Sequence, residues 1–544
     1  MQYHSFNCGC KFEILKANPN PELLPNLKLD ILNVPLDCSA TWHLISQGLT
    51  KGVFQLESNL GRQWAKKLKP HEIEHMAALG SLLRPGALKA LDENGVSMTE
   101  HYCRRKNNEE ELQIKYEAIK HILERTYNVI CYQEQCMEIA QRIAGFNLQE
   151  ADQLRKAIGK KLAEEMAKVK KMFLDGVEKC GLVTKDAGEE IFGWIEKSQR
   201  YLFNKSHAVC YGLNGYFSAY CKAHFPVQFY TKWLRFSQNK QDTFKQINEL
   251  ISEAKLFNIE VVTPSIKLIK KHFTTDGKTV YFGLADIKGV GDKQVPKIKA
   301  IIEEKEQTLN RSIDTLSWFE FLVYCSDSLV KTSMVGLISV GAFRHTKISR
   351  NKLLHEYDTW NKLTKLERSV VKECQGKYKT LQESLQGLLT DGGTANKNRY
   401  AIVESLLKLL KNPPTSLEDT PNWIALIEQK YLGIPITFTK IDSCDTRMVN
   451  ATCKDYLLGK TGPLILGVEI QEAKEIKIKN GQNTGRLMGR LTISDNSCST
   501  DDVVVFSNEW EEYKNLLQPG STVLIQGIRN QKTNSLVVKN VWSI

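Results

Sequence analysis

Near residue 456 the spacing of apolar side chains switches from a helical period to strict alternation, which divides the chain into parts that need different kinds of core. After the switch, LILGVEI, EIKIKNGQNTGRLMGRLTI, DDVVVF, STVLIQGI and SLVVKNVW read as five strands, with the helical stretch NEWEEYKNLL between the third and the fourth. Before it, residues 48–257 are helical with loops. In ICYQEQCMEIAQRIAGF, for example, Ile130, Cys136, Ile139, Ile143 and Phe146 can share one face, and Gly145 loosens the end. At 544 residues the chain is also too long for a single core, so about three to five modules are expected.

Five strands with a helix after the third is the order of an OB-fold barrel, a frequent binder of single strands, and this assigns residues 456–544. Residues 258–345 move from short strands into a helix, hairpin, helix pattern at IKGVGD, with MVGLISVGAF as a second hairpin unit. Residues 346–455 are charged and helical, interrupted by DGGT and NPPTS, and read as a connector. The first 47 residues contain Pro19, Pro21, Pro25 and Pro35 with few periodic apolar positions, and cannot build a core of their own. The expected class is multidomain α+β: a helical region, tandem helix-hairpin-helix units, a helical connector and a C-terminal β-barrel.

Hydrophobic content of 42% and charged content of 25% fit a soluble globular protein, and 74 basic against 62 acidic side chains give +12, which favours a polyanionic partner. The 14 cysteines follow no repeated spacing, and the N-terminus lacks the order of a secretory signal, so reduced thiols in cytoplasm are expected. No apolar run is long enough to span a bilayer, which disfavours membrane insertion. His4, Cys8 and Cys10 offer three zinc donors at tight spacing without a fourth, so no metal is expected there.

Between Tyr201 and Phe229, Lys205, Ser206 and His207 are followed by Tyr211, Tyr216 and Tyr220. Cation, hydroxyl and imidazole beside flat rings is the chemistry that holds a nucleotide by phosphate and base. In ADQLRKAIGKKLAEEMAKVKKMFLDG, Leu154, Ile158, Leu162, Met166, Val169 and Phe173 recur at helical spacing. Arg155 falls within that stripe, so it needs an anionic partner, either Asp152 or a phosphate, or the helix must break near Gly159. Lys156 and Lys160 project to one side, fitting a polyphosphate or a solvated face equally well. Gly289 and Gly291 permit a tight hairpin whose following helix can present N–H groups to a phosphate. In the barrel, Lys477, Lys479, Arg486 and Arg490 with Phe506 and Trp542 could line a strand groove, although core packing is the default for the two aromatics. His71, Glu72 and His75 satisfy H-E-x-x-H, but Pro70 sets them at a helix start, and an ordinary helix is expected.

TKGVFQLES, LLRPGAL, VICYQEQCMEIAQRIAG, EADQLRKAIGKK and FNKSHAVCYG come in the order of the signature blocks in the fingers of the bacterial DNA polymerase III alpha subunits. The chain resembles this family of C-type replicative polymerases over most of its length. The resemblance implies that Arg155 and Lys156 meet the phosphates of the incoming dNTP, with Lys156 standing where arginine is usual, which keeps the charge and loses the bidentate fork. It also implies that Lys205, Ser206 and His207 contact the nucleotide or the templating pair, and that Lys160, Lys161, Lys288, Gly289, Gly291 and Lys293 grip DNA backbone without reading sequence. NLKLDIL is similar to the palm strand just before the fingers, mapping a catalytic, metal-binding carboxylate onto Asp30 and a phosphate-facing lysine onto Lys28.

Two-metal phosphoryl transfer with Mg2+ needs several carboxylates, and the family's other two form an Asp-x-Asp pair that occurs nowhere in this sequence. The family's phosphoesterase-like domain and most of its palm also lack counterparts. The expectation is a DNA-directed DNA polymerase subunit completed by a second polypeptide that carries the rest of the palm. A gene cut by an intervening element and a non-catalytic DNA-binding or scaffold subunit are the alternatives. Primer-template DNA, dNTPs, a sliding clamp and other replisome subunits are the implied partners, with Gln382 to Leu389 a poor candidate for the clamp tether.

Overall fold

The computed structural model describes residues 8, 10, 33–160, 163–198, 202–237, 242–374, 376–390, 397–478, 483–530 and 533–544, with side chains for all of these except 158–160 and 163. The described residues through Phe229 form one compact unit and Tyr230–Ile544 form another. Among them, no helix is long and apolar enough to cross a membrane.

In the first unit, helix Gln133–Ala144 starts where the Gln135 side chain turns back to accept the N–H groups of Cys131 (2.8 Å) and Tyr132 (3.0 Å). It ends at Gly145, whose φ of 67° is inexpensive only for glycine. The face foreseen from spacing is the buried one: Ile130, Cys136, Ile139, Ile143 and Phe146 join Leu154, Phe173, Ile191 and Phe192 in one core. Each such side chain contributes roughly 1.5–3 kcal/mol on burial, so this cluster holds the helices around it together.

The apolar stripe from Leu154 to Phe173 falls on Leu148–Lys160 and Ala163–Cys180, and residues 161–162 between them lie outside the described residues. Leu154, Met166, Val169 and Phe173 are buried, whereas the side chains of Ile158 and Leu162 lie outside those described. Helix Lys205–His224 is capped by Asn204, whose Oδ1 accepts the His207 N–H at 2.9 Å. Gly212 lets it approach Ile73–Leu82 closely, since a Cβ there would sit 3.2 Å from the Ala77 nitrogen.

The second unit opens with a small sheet in which β1 (Glu260–Val262) pairs in parallel with β3 (Thr279–Tyr281), and β2 (Thr274–Thr275) pairs antiparallel with β3. A hairpin with Gly289 at φ 95° and Gly291 at φ 62° then leads into helix Val295–Leu309. Gly336 of helix Lys331–Ser339 packs on Ile287 and the Lys288 carbonyl, and a turn at Gly341 leads on toward helix Arg350–Asn361. The connector is helical, as its composition suggested, with Lys365–Glu373, Leu381–Thr390, Lys397–Lys411 and Pro421–Leu432. It is anchored by an ion pair of Arg350 with the fully buried Glu428 at 2.8 Å.

The last module is a closed barrel of β4 (Pro463–Lys477), β5 (Leu487–Ser494), β6 (Ser499–Val505), β7 (Thr522–Arg529) and β8 (Leu536–Ser543) in the order β4-β5-β6-β8-β7. β6 and β8 pair in parallel, and helix Ser507–Tyr513 follows β6. This is the OB-fold arrangement. One boundary differs from the expectation, because LILGVEI and the first residues of EIKIK, through Lys477, are a single strand rather than two. A register shift between Ile470 and Glu472 bends β4, so that its first half pairs with β7 and its second half with β5.

Candidate functional site

Lys205, Ser206 and His207 occupy the first turn of helix Lys205–His224, and all three are exposed. Glu134, at the start of helix Gln133–Ala144, fixes this turn by accepting the Asn204 amide at 2.8 Å and the Lys205 N–H at 3.0 Å. The Lys205 ammonium lies 5.9 Å from the Tyr132 ring centroid, and the Arg84 guanidinium stacks on Phe203 at 3.8 Å. Among the described residues neither cation forms an ion pair, so both charges remain available to an anion. The His207 ring is 4.1 Å from Tyr211, which is in turn 5.1 Å from Phe54. The surface therefore joins two uncompensated cations to a row of rings.

Of the three tyrosines expected to provide stacking faces, only Tyr211 is at the surface. Tyr216 and Tyr220 turn into the core, with Tyr216 packed 4.7 Å from Trp42, because their positions on the helix face the inner side. Arg84 is a residue that spacing did not reveal. LLRPGAL contains it, but its ring partner Phe203 lies far along the chain.

Arg155 and Lys156 share one carboxylate: Asp152 accepts from Arg155 at 2.7 Å and from Lys156 at 2.8 Å. These two partners hold the Asp152 carboxyl below the usual carboxylate range, Lys156 first and Arg155 second. Asp152 was one of the two partners open to Arg155, and here it is the one engaged. Exposed pairs three and four residues apart on a helix are weak, so Asp152 holds these two cations only loosely. Lys160 ends this helix without a described side chain, and Lys161 lies outside the described residues.

Lys28 and Asp30 also lie outside the described residues. Mg2+ takes oxygen donors, and among the described residues the grouping of candidate metal donors consists of thiols and one imidazole, so these residues do not form a magnesium site. The H-E-x-x-H motif is ordinary packing. Glu72 directly precedes helix Ile73–Leu82 with its carboxylate 3.1 Å from His75 Nε2, and His75 is wholly buried, accepting the His71 N–H at 3.4 Å and touching Tyr127 Oη at 3.0 Å. Burial, aided by the neighbouring His71, pushes His75 down to about 3 and keeps its ring neutral.

In the hairpin, Lys288, Gly289, Gly291 and Lys293 are all exposed. The Lys288 N–H donates to the Tyr431 carbonyl at 2.9 Å and is not free for phosphate, and Asp292 adds an acidic group paired to Lys271 at 2.6 Å. The barrel departs further from expectation. Arg486 pairs with Glu511 at 3.2 Å and Arg490 with Asp502 at 3.7 Å, whereas Lys477 is exposed and Lys479 lies outside the described residues. Phe506 and Trp542 were assigned to the core by default, yet they remain 41% and 39% exposed, and the inward aromatic is Trp510, which donates to Glu475 at 2.9 Å.

Comparison with known proteins agrees with this layout. Residues 16–181 match the model of the bacterial DNA polymerase III alpha subunit finger domain, and residues 258–353 match a helix-hairpin-helix motif. The chain is 30% identical over 538 residues to the DNA polymerase III subunit alpha of Aquifex aeolicus, covering 95% of this chain and 40% of that protein. Against the Thermus aquaticus subunit it is 28% identical over 538 residues, with 95% and 39% covered, and against that of Staphylococcus aureus MRSA252 it is 29% identical over 522 residues, with 95% and 44% covered. The chain thus spans about two fifths of the length of these relatives. Two family models matched in order and alignments covering 95% of this chain at 28–30% identity make it similar to bacterial DNA polymerase III alpha subunits over nearly all of its own length.

Proposed function

We propose that this chain binds a dNTP and primer-template DNA and takes part in templated, Mg2+-dependent primer extension as a DNA-directed DNA polymerase. The palm aspartates that Asp30 needs beside it would come from residues outside these 544. The observation that carries the reading is the surface of Arg84, Lys205, His207 and Tyr211: two cations without carboxylate partners among the described residues, beside rings that a base can stack on. In this reading Lys205 and Arg84 hold phosphate oxygens, Arg155 and Lys156 exchange Asp152 for the polyphosphate, and Glu134 keeps the first helical turn rigid. Bound magnesium would supply charge neutralisation and alignment of the primer hydroxyl. Lys288 and Lys293 hold the duplex by its backbone, and the barrel meets single-stranded template through Phe506, Trp542 and Lys477. A sliding clamp and other replisome subunits complete the set of partners, and the work is done in the cytoplasm.

A scaffold subunit that binds DNA without chemistry would share the hairpin and barrel but have no use for a nucleotide site. Titrating a fluorescent dNTP onto the chain with primer-template separates the two. Saturable binding that unlabelled dNTP displaces and the bare nucleoside does not is expected; the absence of saturable binding would select the scaffold.

A further inference from the structure

Cys8, Cys10, Cys38 and His224 bring three Sγ atoms and an imidazole nitrogen within 4.8 Å of one another. Cys38 Sγ and His224 Nε2 are already 3.3 Å apart. Two of the four positions are fixed by the surrounding fold. Cys38 is buried, directly precedes helix Ser39–Ser46, and donates its N–H to Tyr216 Oη at 3.2 Å, while that hydroxyl donates to the Pro35 carbonyl at 2.7 Å. His224 is the last residue of helix Lys205–His224, with its ring 4.3 Å from Tyr220. None of the three cysteines is in a disulfide. No carboxylate belongs to the group, and a soft set of three thiols and one imidazole selects zinc over the hard cations that a polymerase palm uses.

We propose that these four residues bind one zinc ion in a closed, structural site. A tetrahedral site with Zn–S near 2.3 Å has ligand edges of about 3.8 Å, so the donors need to close in by no more than about 1 Å. With all four positions filled by protein, no place is left for a substrate or an activated water. The site is also remote from the nucleotide surface: His224 and Lys205 are at opposite ends of one helix, a separation of about 30 Å at 1.5 Å per residue.

The ion ties the start of the chain to the end of that helix. Cys10 and Cys38 bracket residues 11–37 in sequence, the stretch that carries Lys28 and Asp30, so zinc fixes both ends of the segment bearing the expected palm carboxylate. The H-E-x-x-H motif, where the sequence drew attention to zinc, has no part in this. His4, the third donor suggested by sequence, lies outside the described residues, and its place is taken by Cys38 and His224 from far along the chain.

The test uses the full 544-residue chain, purified reduced from zinc-supplemented medium and passed through a desalting column. Elemental analysis should find about one zinc per chain, released to a chromophoric chelator when a mercurial blocks the thiols. Cys8→Ser and His224→Asn should each lose the metal, with helicity by circular dichroism unchanged. Should either variant fail to fold, cobalt(II) loaded into the unaltered chain keeps the test decisive, because tetrahedral thiolate ligation gives intense visible bands and sulfur-to-cobalt charge transfer. Metal-free chain, bound iron or copper in place of zinc, zinc retained by the folded Cys8→Ser variant, or a cobalt spectrum without thiolate bands would each overturn the assignment.

Discussion

Mixed with a polypeptide that carries the Asp-x-Asp palm, the chain should extend a primer from dNTPs and Mg2+ at least about a thousandfold faster than either component alone. The size of the effect follows from what the 544 residues lack. Cationic side chains can hold a triphosphate, but an in-line displacement also needs metals to lower the charge on the attacking and leaving oxygens, and metals need carboxylates. With Asp30 as the single palm candidate and no Asp-x-Asp anywhere in the sequence, the chain alone should be at background. Asp30→Ala should return the mixture to background as well. Extension by the chain without its complement would contradict the division of labour, and restored extension that survives Asp30→Ala would remove Asp30 from the chemistry.

The second large effect concerns stability. Glu428 is fully buried and accepts from Arg350 at 2.8 Å, from Thr437 Oγ1 at 2.5 Å, and from the N–H groups of Ile436 and Thr437 at 2.6 and 2.8 Å. Arg350 also donates to the Ser339 carbonyl at 3.0 Å, so one ion pair joins the helix after the hairpins to the last connector helix. Glu428→Ala strands a buried guanidinium and should cost about 3–5 kcal/mol, the usual price of breaking such a pair from one side. The second unit should then melt on the order of 10 °C lower by calorimetry. Replacing both partners, Arg350→Met with Glu428→Leu, should cost clearly less than Glu428→Ala, because no charge is left unpaired. A shift below about 2 °C for Glu428→Ala would show that the pair does not anchor the connector.

What could be read in the sequence was whatever repeats locally. The face of helix Gln133–Ala144 and the order of the barrel strands follow from periods of 3.6 and 2, and both stand in the structure. The bend that makes LILGVEI and the first residues of EIKIK one strand depends on a register shift against two different neighbours, which no single segment encodes. Lys205, Ser206 and His207 were found because they are contiguous, whereas Arg84 on Phe203, Arg350 on Glu428, and Cys38 with His224 meet only through the fold. Phe506 and Trp542 illustrate the reverse error. Inward packing is the default for aromatics, yet Trp542 on β8 and Phe506, just past the end of β6, remain at the surface.

The central claim is that cationic side chains of this chain clasp the oxygens of a dNTP, and it is tested most directly by nucleotide affinity in the presence of primer-template after Arg155→Ala and Lys205→Ala are combined. Each charge-assisted hydrogen bond is worth roughly 1.5–3 kcal/mol, so losing one from each side chain should weaken binding by at least about a hundredfold while the helices remain folded. An unchanged dissociation constant in the folded double variant would contradict the account.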